Sequence, residues 1–137
     1  MSAARQRCAG RRGNAVIEAV LVIPILLLLA FGTVEFGHFF FVKHNLQGAA
    51  REGARAAIIS GATNSDVAGA VAASMSAAGL DGSGYTITTD PADVSAAATG
   101  TNITVSVECT WGSVGIRPMG MISATKLARG ATVMRKE

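Results

Sequence analysis

Ala19–Val34 is sixteen residues without a charge, inside a longer apolar run, Asn14–Val42 (NAVIEAVLVIPILLLLAFGTVEFGHFFFV). As a helix rising ~1.5 Å per residue, the uncharged core spans about 24 Å. Phe36–Val42 extends the apolar surface past the ~30 Å of a bilayer core. Backbone polar groups in lipid must be paired internally, so a single helix is the form such a segment takes. A buried helix of a soluble domain is the alternative. The rest of the chain holds too little apolar sequence to wrap one.

The 137-residue length allows one small domain beside this anchor. Half the residues are hydrophobic, but much of that share is alanine and the long run, so the core of the remaining domain must be thin. The net charge of +3 is unevenly placed. Arg5, Arg7, Arg11 and Arg12 precede the apolar run with no acid beside them, and the rest of the chain is close to neutral. No basic patch with interleaved aromatics remains, so nucleic acid is not an expected partner. The arginine cluster fits a cytoplasmic flank, which puts Lys43 onward outside. Cys8 and Cys109 then fall on opposite sides of the membrane, and no bridge between them is expected. A lipoprotein cysteine follows its hydrophobic region, whereas Cys8 precedes this one.

A secretory signal peptide would end in small residues, for which Ala30 and Gly32 are available. However, Glu35 and Phe39–Phe41 follow at once and the helical pattern continues through Arg55. The residues before the run carry more information. Gly13 follows two arginines, and Glu18 stands five residues beyond it, just inside the apolar segment. A carboxylate in lipid is costly and marks a functional site unless it rests among headgroups. A cut after Gly13 would give Asn14 an α-ammonium, and in a bundle of parallel helices Glu18 could pair with the amine of a neighbouring subunit.

RRG-NAVIE, then LVIPILLLLAFGTVEFG, then NLQGAAREGARAA together resemble the TadE-like family, pseudopilin-type proteins of the Tad (tight adherence) pilus, a branch of the type IV pilus systems. The closing ATVMRKE is also similar to that family's last segment, while the middle corresponds only in layout. The resemblance implies cleavage between Gly13 and Asn14 by a membrane-embedded aspartic prepilin peptidase, with Glu18 as the assembly carboxylate. Asn14 departs from the Phe that type IV pilins often carry at the new N-terminus. The implied partners are inner-membrane lipid, the prepilin peptidase, other pilin-like subunits and Tad assembly proteins. The implied role is that of a minor pilin-like protein supporting pilus assembly, and so adhesion or secretion. The other reading is an uncleaved single-span anchor carrying a surface binding module.

Further along, Pro24 removes one helix hydrogen bond and crowds the carbonyl of Val20, which predicts a kink. Glu35 is expected to reach headgroups or to pair with Lys43 or His38. His38 and His44 are too isolated for a metal site. Ala49, Gly53, Ala57 and Gly61 repeat every four residues and leave a smooth groove; the favoured reading packs it against the protein's own sheet rather than another subunit. Glu52 and Arg55 form an i, i+3 pair. Gly61-Ala-Thr-Asn breaks the helix, Thr63 or Asn64 caps a second with Asp66 in its first turn, and Val67, Val71 and Met75 stripe one face as far as about Gly79.

Asp81-Gly-Ser-Gly reads as a turn, Tyr85–Thr89 as a strand and Asp90–Gly100 as a loop. Thr101–Trp111 is the clearest strand, with Ile103, Val105, Val107, Cys109 and Trp111 on one face. Cys109 there reads as a small core residue and Trp111 as a core anchor. Gly112–Ser123 is an apolar connection that holds a short helix or lies near the membrane. Thr125–Met134 reads as a last strand with Leu127, Ala131 and Val133 inward, a pattern Arg129 interrupts. The expected fold is α+β: a transmembrane helix over residues 14–42 after a basic leader at 1–13, then an extracytoplasmic domain over 43–137 with one short helix and about three antiparallel strands. Asp81, Asp90, Asp93 and Glu108 form no triad or metal set, so neither enzymatic activity, a small-molecule substrate nor a cofactor is expected.

Overall fold

The computed structural model describes residues 10–137, with side chains from Ala15 onward. The basic leader through Ala9, including Arg5, Arg7 and Cys8, lies outside the described residues, as do the side chains of Arg11, Arg12, Gly13 and Asn14. The elements run α1 (Gly10–Ala57), α2 (Asn64–Ala77), β1 (Thr86–Asp90), β2 (Asn102–Thr110), the one-turn α3 (Trp111–Val114) and β3 (Leu127–Arg135). This is the α+β layout that the sequence predicts.

α1 is a single 48-residue helix that passes through Pro24 without a break. Its two halves meet different surroundings. Every side chain from Ala15 to Phe31 is exposed. From Val42 on, the residues Val42, Leu46, Ala49, Ala50, Ala54 and Ala57 are buried, a stripe at helical spacing that faces the rest of the domain. The small residues let other elements approach closely. A Cβ at Gly53 would lie 2.7 Å from Val71 Cγ2 and 3.2 Å from Val105 Cγ1. The groove is therefore filled by the protein's own α2 and sheet. Gly61 lies beyond the helix, in the turn, with φ of 79°.

α2 starts and stops as its sequence dictates. The Thr63 hydroxyl and the Asp66 carboxylate form a capping box, in which the Thr63 N–H donates to Asp66 Oδ2 at 2.8 Å. At the other end the Leu80 N–H reaches Met75 O and the Gly79 N–H reaches Ser76 O, both at 2.9 Å. That Schellman closure needs a left-handed residue, supplied by Gly79 at φ 69°. Val67, Val71 and Met75 are the buried stripe. Asp81–Ser83 forms a 3₁₀ turn.

The sheet is antiparallel in the order β1-β2-β3. Ile103, Val105, Val107 and Cys109 point inward toward α1, and Trp111, just past the strand end, is fully buried with them. β3 corrects the sequence reading. It pairs with β2 through Cys109↔Ala128 and Val107↔Gly130, which turns Ala128 and Gly130 inward. Leu127, Ala131 and Val133 share the outer face with Arg129 and are exposed. The reason is space: a Cβ at Gly130 would fall on backbone atoms of Leu46 and Gln47. Gln47 reinforces the contact, donating from Nε2 to Ala131 O at 2.8 Å.

The C-terminus is tied down rather than loose. Lys136 is buried and its Nζ donates to Val94 O at 2.6 Å, while the Glu137 N–H donates to Ile58 O at 3.2 Å.

Candidate assembly and membrane site

The residues that sequence reasoning selects fall on the unclothed half of α1. Gly13 and Asn14 lie in its helical backbone. Glu18 stands one turn beyond Asn14, exposed among Val16, Ile17, Val20 and Leu21, which are all at least 63% exposed. Among the described residues no cation pairs with Glu18. A carboxylate set in a bare apolar stripe, on a helix with an 18-residue window of mean hydropathy 2.7, is costly in lipid unless it is paired or rests among headgroups.

Glu35 behaves differently from its expected pairing with Lys43 or His38. It is fully buried and accepts from the Ile122 N–H at 2.7 Å and the Met119 N–H at 3.3 Å. The N–H groups of Gly120 and Met121 also face it. Two amides of one loop thus bond a single carboxylate, an arrangement of N–H dipoles that suits an anion. Sequence reasoning missed this partner because backbone amides more than eighty residues away carry no motif.

His38, one turn on from Glu35, is also used structurally. Its Nε2 lies 2.8 Å from Val114 O, and because a carbonyl only accepts, the proton sits on Nε2. The ring packs against Trp111 with centroids 5.6 Å apart, and Phe39 meets the same indole edge-on at 5.2 Å. Trp111 is therefore the anchor by which the sheet holds α1 where the helix leaves its bare half.

The remaining candidates are separate. Cys109 is buried, and that burial raises its thiol pKa, as suits a core residue rather than a nucleophile. Asp93 bonds the Ser95 hydroxyl at 2.6 Å and the Ser95 N–H at 2.9 Å, which hold its pKa below the usual carboxylate value. Glu52 and Arg55 make the i, i+3 pair at 3.8 Å on the exposed surface, where such a contact adds little.

No curated protein and no solved structure matches the chain. The family model described as TadE-like protein matches residues 13–55. Those bounds start at Gly13, pass Glu18 and Glu35 and end two residues short of the end of α1, so the similarity to the TadE-like model covers nearly all of the helix that organises this molecule.

Proposed function

We propose that this chain is a minor pilin-like membrane protein that supports assembly of a Tad-type pilus, with a structural rather than a catalytic role. The observation that carries the reading is the division of α1. One continuous helix is bare and apolar over its first half and packed into a small α+β domain over its second, within the segment that matches the TadE-like model. A bare half of that kind can leave lipid and enter a bundle of like helices without unfolding the domain.

In this mechanism α1 holds the protein in the inner membrane, arginine-rich end inside and the domain outside. A prepilin peptidase cuts between Gly13 and Asn14. The new α-ammonium of one subunit then meets Glu18 of a neighbour as the helices come together. A charge left unpaired at low dielectric costs about 3–5 kcal/mol, so the correct register is favoured over slipped ones. Other pilin-like subunits and Tad assembly proteins are the partners, and adhesion or secretion is the outcome.

The test replaces Glu18 in cells lacking the native copy. Glu18→Ala should leave membrane levels unchanged and abolish or strongly reduce piliation. Normal piliation would remove Glu18 from the mechanism.

A further inference from the structure

The connection between α3 and β3 lies beside the bare half of α1 rather than over the sheet. Counting ~20 residues of helix from Ala19 for a ~30 Å hydrocarbon core ends near His38. Gly32 and Glu35 therefore fall within the last two turns of the span, and both touch this loop. Met121 Sδ comes within 3.7 Å of where a Cβ on Gly32 would sit, and Glu35 accepts the Met119 and Ile122 amides. Ile116, Met119 and Met121 are 54%, 43% and 51% exposed; Met121 lies beside Gly32 and Ile116 lines a groove with His38. Arg117 stands among them, exposed, and among the described residues no carboxylate pairs with it.

We infer that the 115–122 loop is a second membrane-contacting element: Ile116, Met119 and Met121 enter the bilayer interface on the domain's side, Arg117 reaches lipid phosphates, and Glu35 clasps the loop to the helix. Three observations favour lipid over a neighbouring protein as the occupant. The exposed loop side chains continue the apolar surface of α1, where Met121 overhangs a groove lined by Leu28, Leu29, Gly32 and Phe36. Two of the loop's amides, those of Met119 and Ile122, turn inward to Glu35, which lowers the cost of placing this irregular backbone near hydrocarbon. An arginine on a long stem beside apolar side chains is the arrangement that snorkels to headgroups. The clasp also fixes the angle between helix and domain, so the domain rests on the membrane instead of pivoting above it.

The inference rests on α1 crossing a bilayer, and the test separates the two. Full-length protein with Cys8→Ser is given single cysteines at Ile116, Met119, Leu29 or Thr88, labelled with an environment-sensitive fluorophore and placed in phosphatidylcholine–phosphatidylglycerol vesicles containing spin-labelled lipid. Buried Cys109 is controlled by the unsubstituted background. The expected result is quenching at 116 and 119 approaching that at Leu29 and several-fold above that at Thr88, unchanged as protein is diluted in lipid. Labels at 116 and 119 that match Thr88 while Leu29 is quenched overturn the inference alone. Quenching at 116 and 119 that is weak at high protein density and rises on dilution assigns the loop to a neighbouring chain and also overturns it. An unquenched Leu29 overturns both the inference and the span.

Discussion

Glu35 shows how far a single side chain can depart from its local expectation. On the helix its near neighbours are His38 and Lys43, yet its partners are the amides of Met119 and Ile122. Carboxylate identity was legible in the sequence, but the partner was not, because chain reversal alone brings the loop there. Removing the carboxylate should release the loop. In Glu35→Ala, hydrogen exchange at the Met119 and Ile122 amides should accelerate by at least about tenfold, the loss of roughly 1.4 kcal/mol of protection, while the β2 amides stay unchanged. Thr63 and Asp66 are the opposite case, since a capping pair three residues apart is readable directly. The Thr63 hydroxyl and amide hydrogen bonds hold the Asp66 pKa below its usual value. The folded value lies below the unfolded one, about 3.9. The stabilisation is therefore complete above that pH and is lost as pH falls through the folded value. Melting curves of the detergent-solubilised protein should show the acid-side loss reduced in Asp66→Asn. Thr63→Ala should cost about 1 kcal/mol at neutral pH.

Among the elements, α1, α2 and β2 were legible because each repeats its apolar residues at the period of its structure. β3 was not. Its larger apolar residues, Leu127 and Val133, point outward, and its inward face is built from Ala128 and Gly130. Counting hydrophobicity selects the wrong face whenever a helix backbone comes so close that only small residues fit beneath it. Arg129, which breaks the apolar pattern of Leu127, Ala131 and Val133, was the available signal: it extends across the outer face and donates to Ser106 Oγ at 2.9 Å. The close approach gives a sharp prediction. Gly130→Ala must push β3 away from Leu46 and Gln47, and should destabilise the domain by about 1–3 kcal/mol. Ala131→Gly, on the open face, should cost about 1 kcal/mol or less. Chemical denaturation of the two variants side by side distinguishes the tight face from the open one.

At the scale of the whole molecule, the fold is a helix only half clothed by its own domain. Trp111, His38 and Phe39 mark where the clothing begins, and the C-terminal Lys136 and Glu137 fasten its far end near Val94 and Ile58. The domain is thus braced along its half of α1, and among the described residues nothing covers the other half from Ala15 to Phe31. Glu18 lies wholly within that bare half, so the proposed pairing with a neighbour's amine depends on cleavage at Gly13. The most direct measurement is the intact mass and N-terminal sequence of the membrane-extracted protein, produced with and without an active prepilin peptidase. The account predicts a mature chain beginning at Asn14 only when the peptidase is present. A chain that keeps Met1–Gly13 beside an active peptidase would contradict it, leaving an uncleaved anchor and Glu18 as a carboxylate among headgroups.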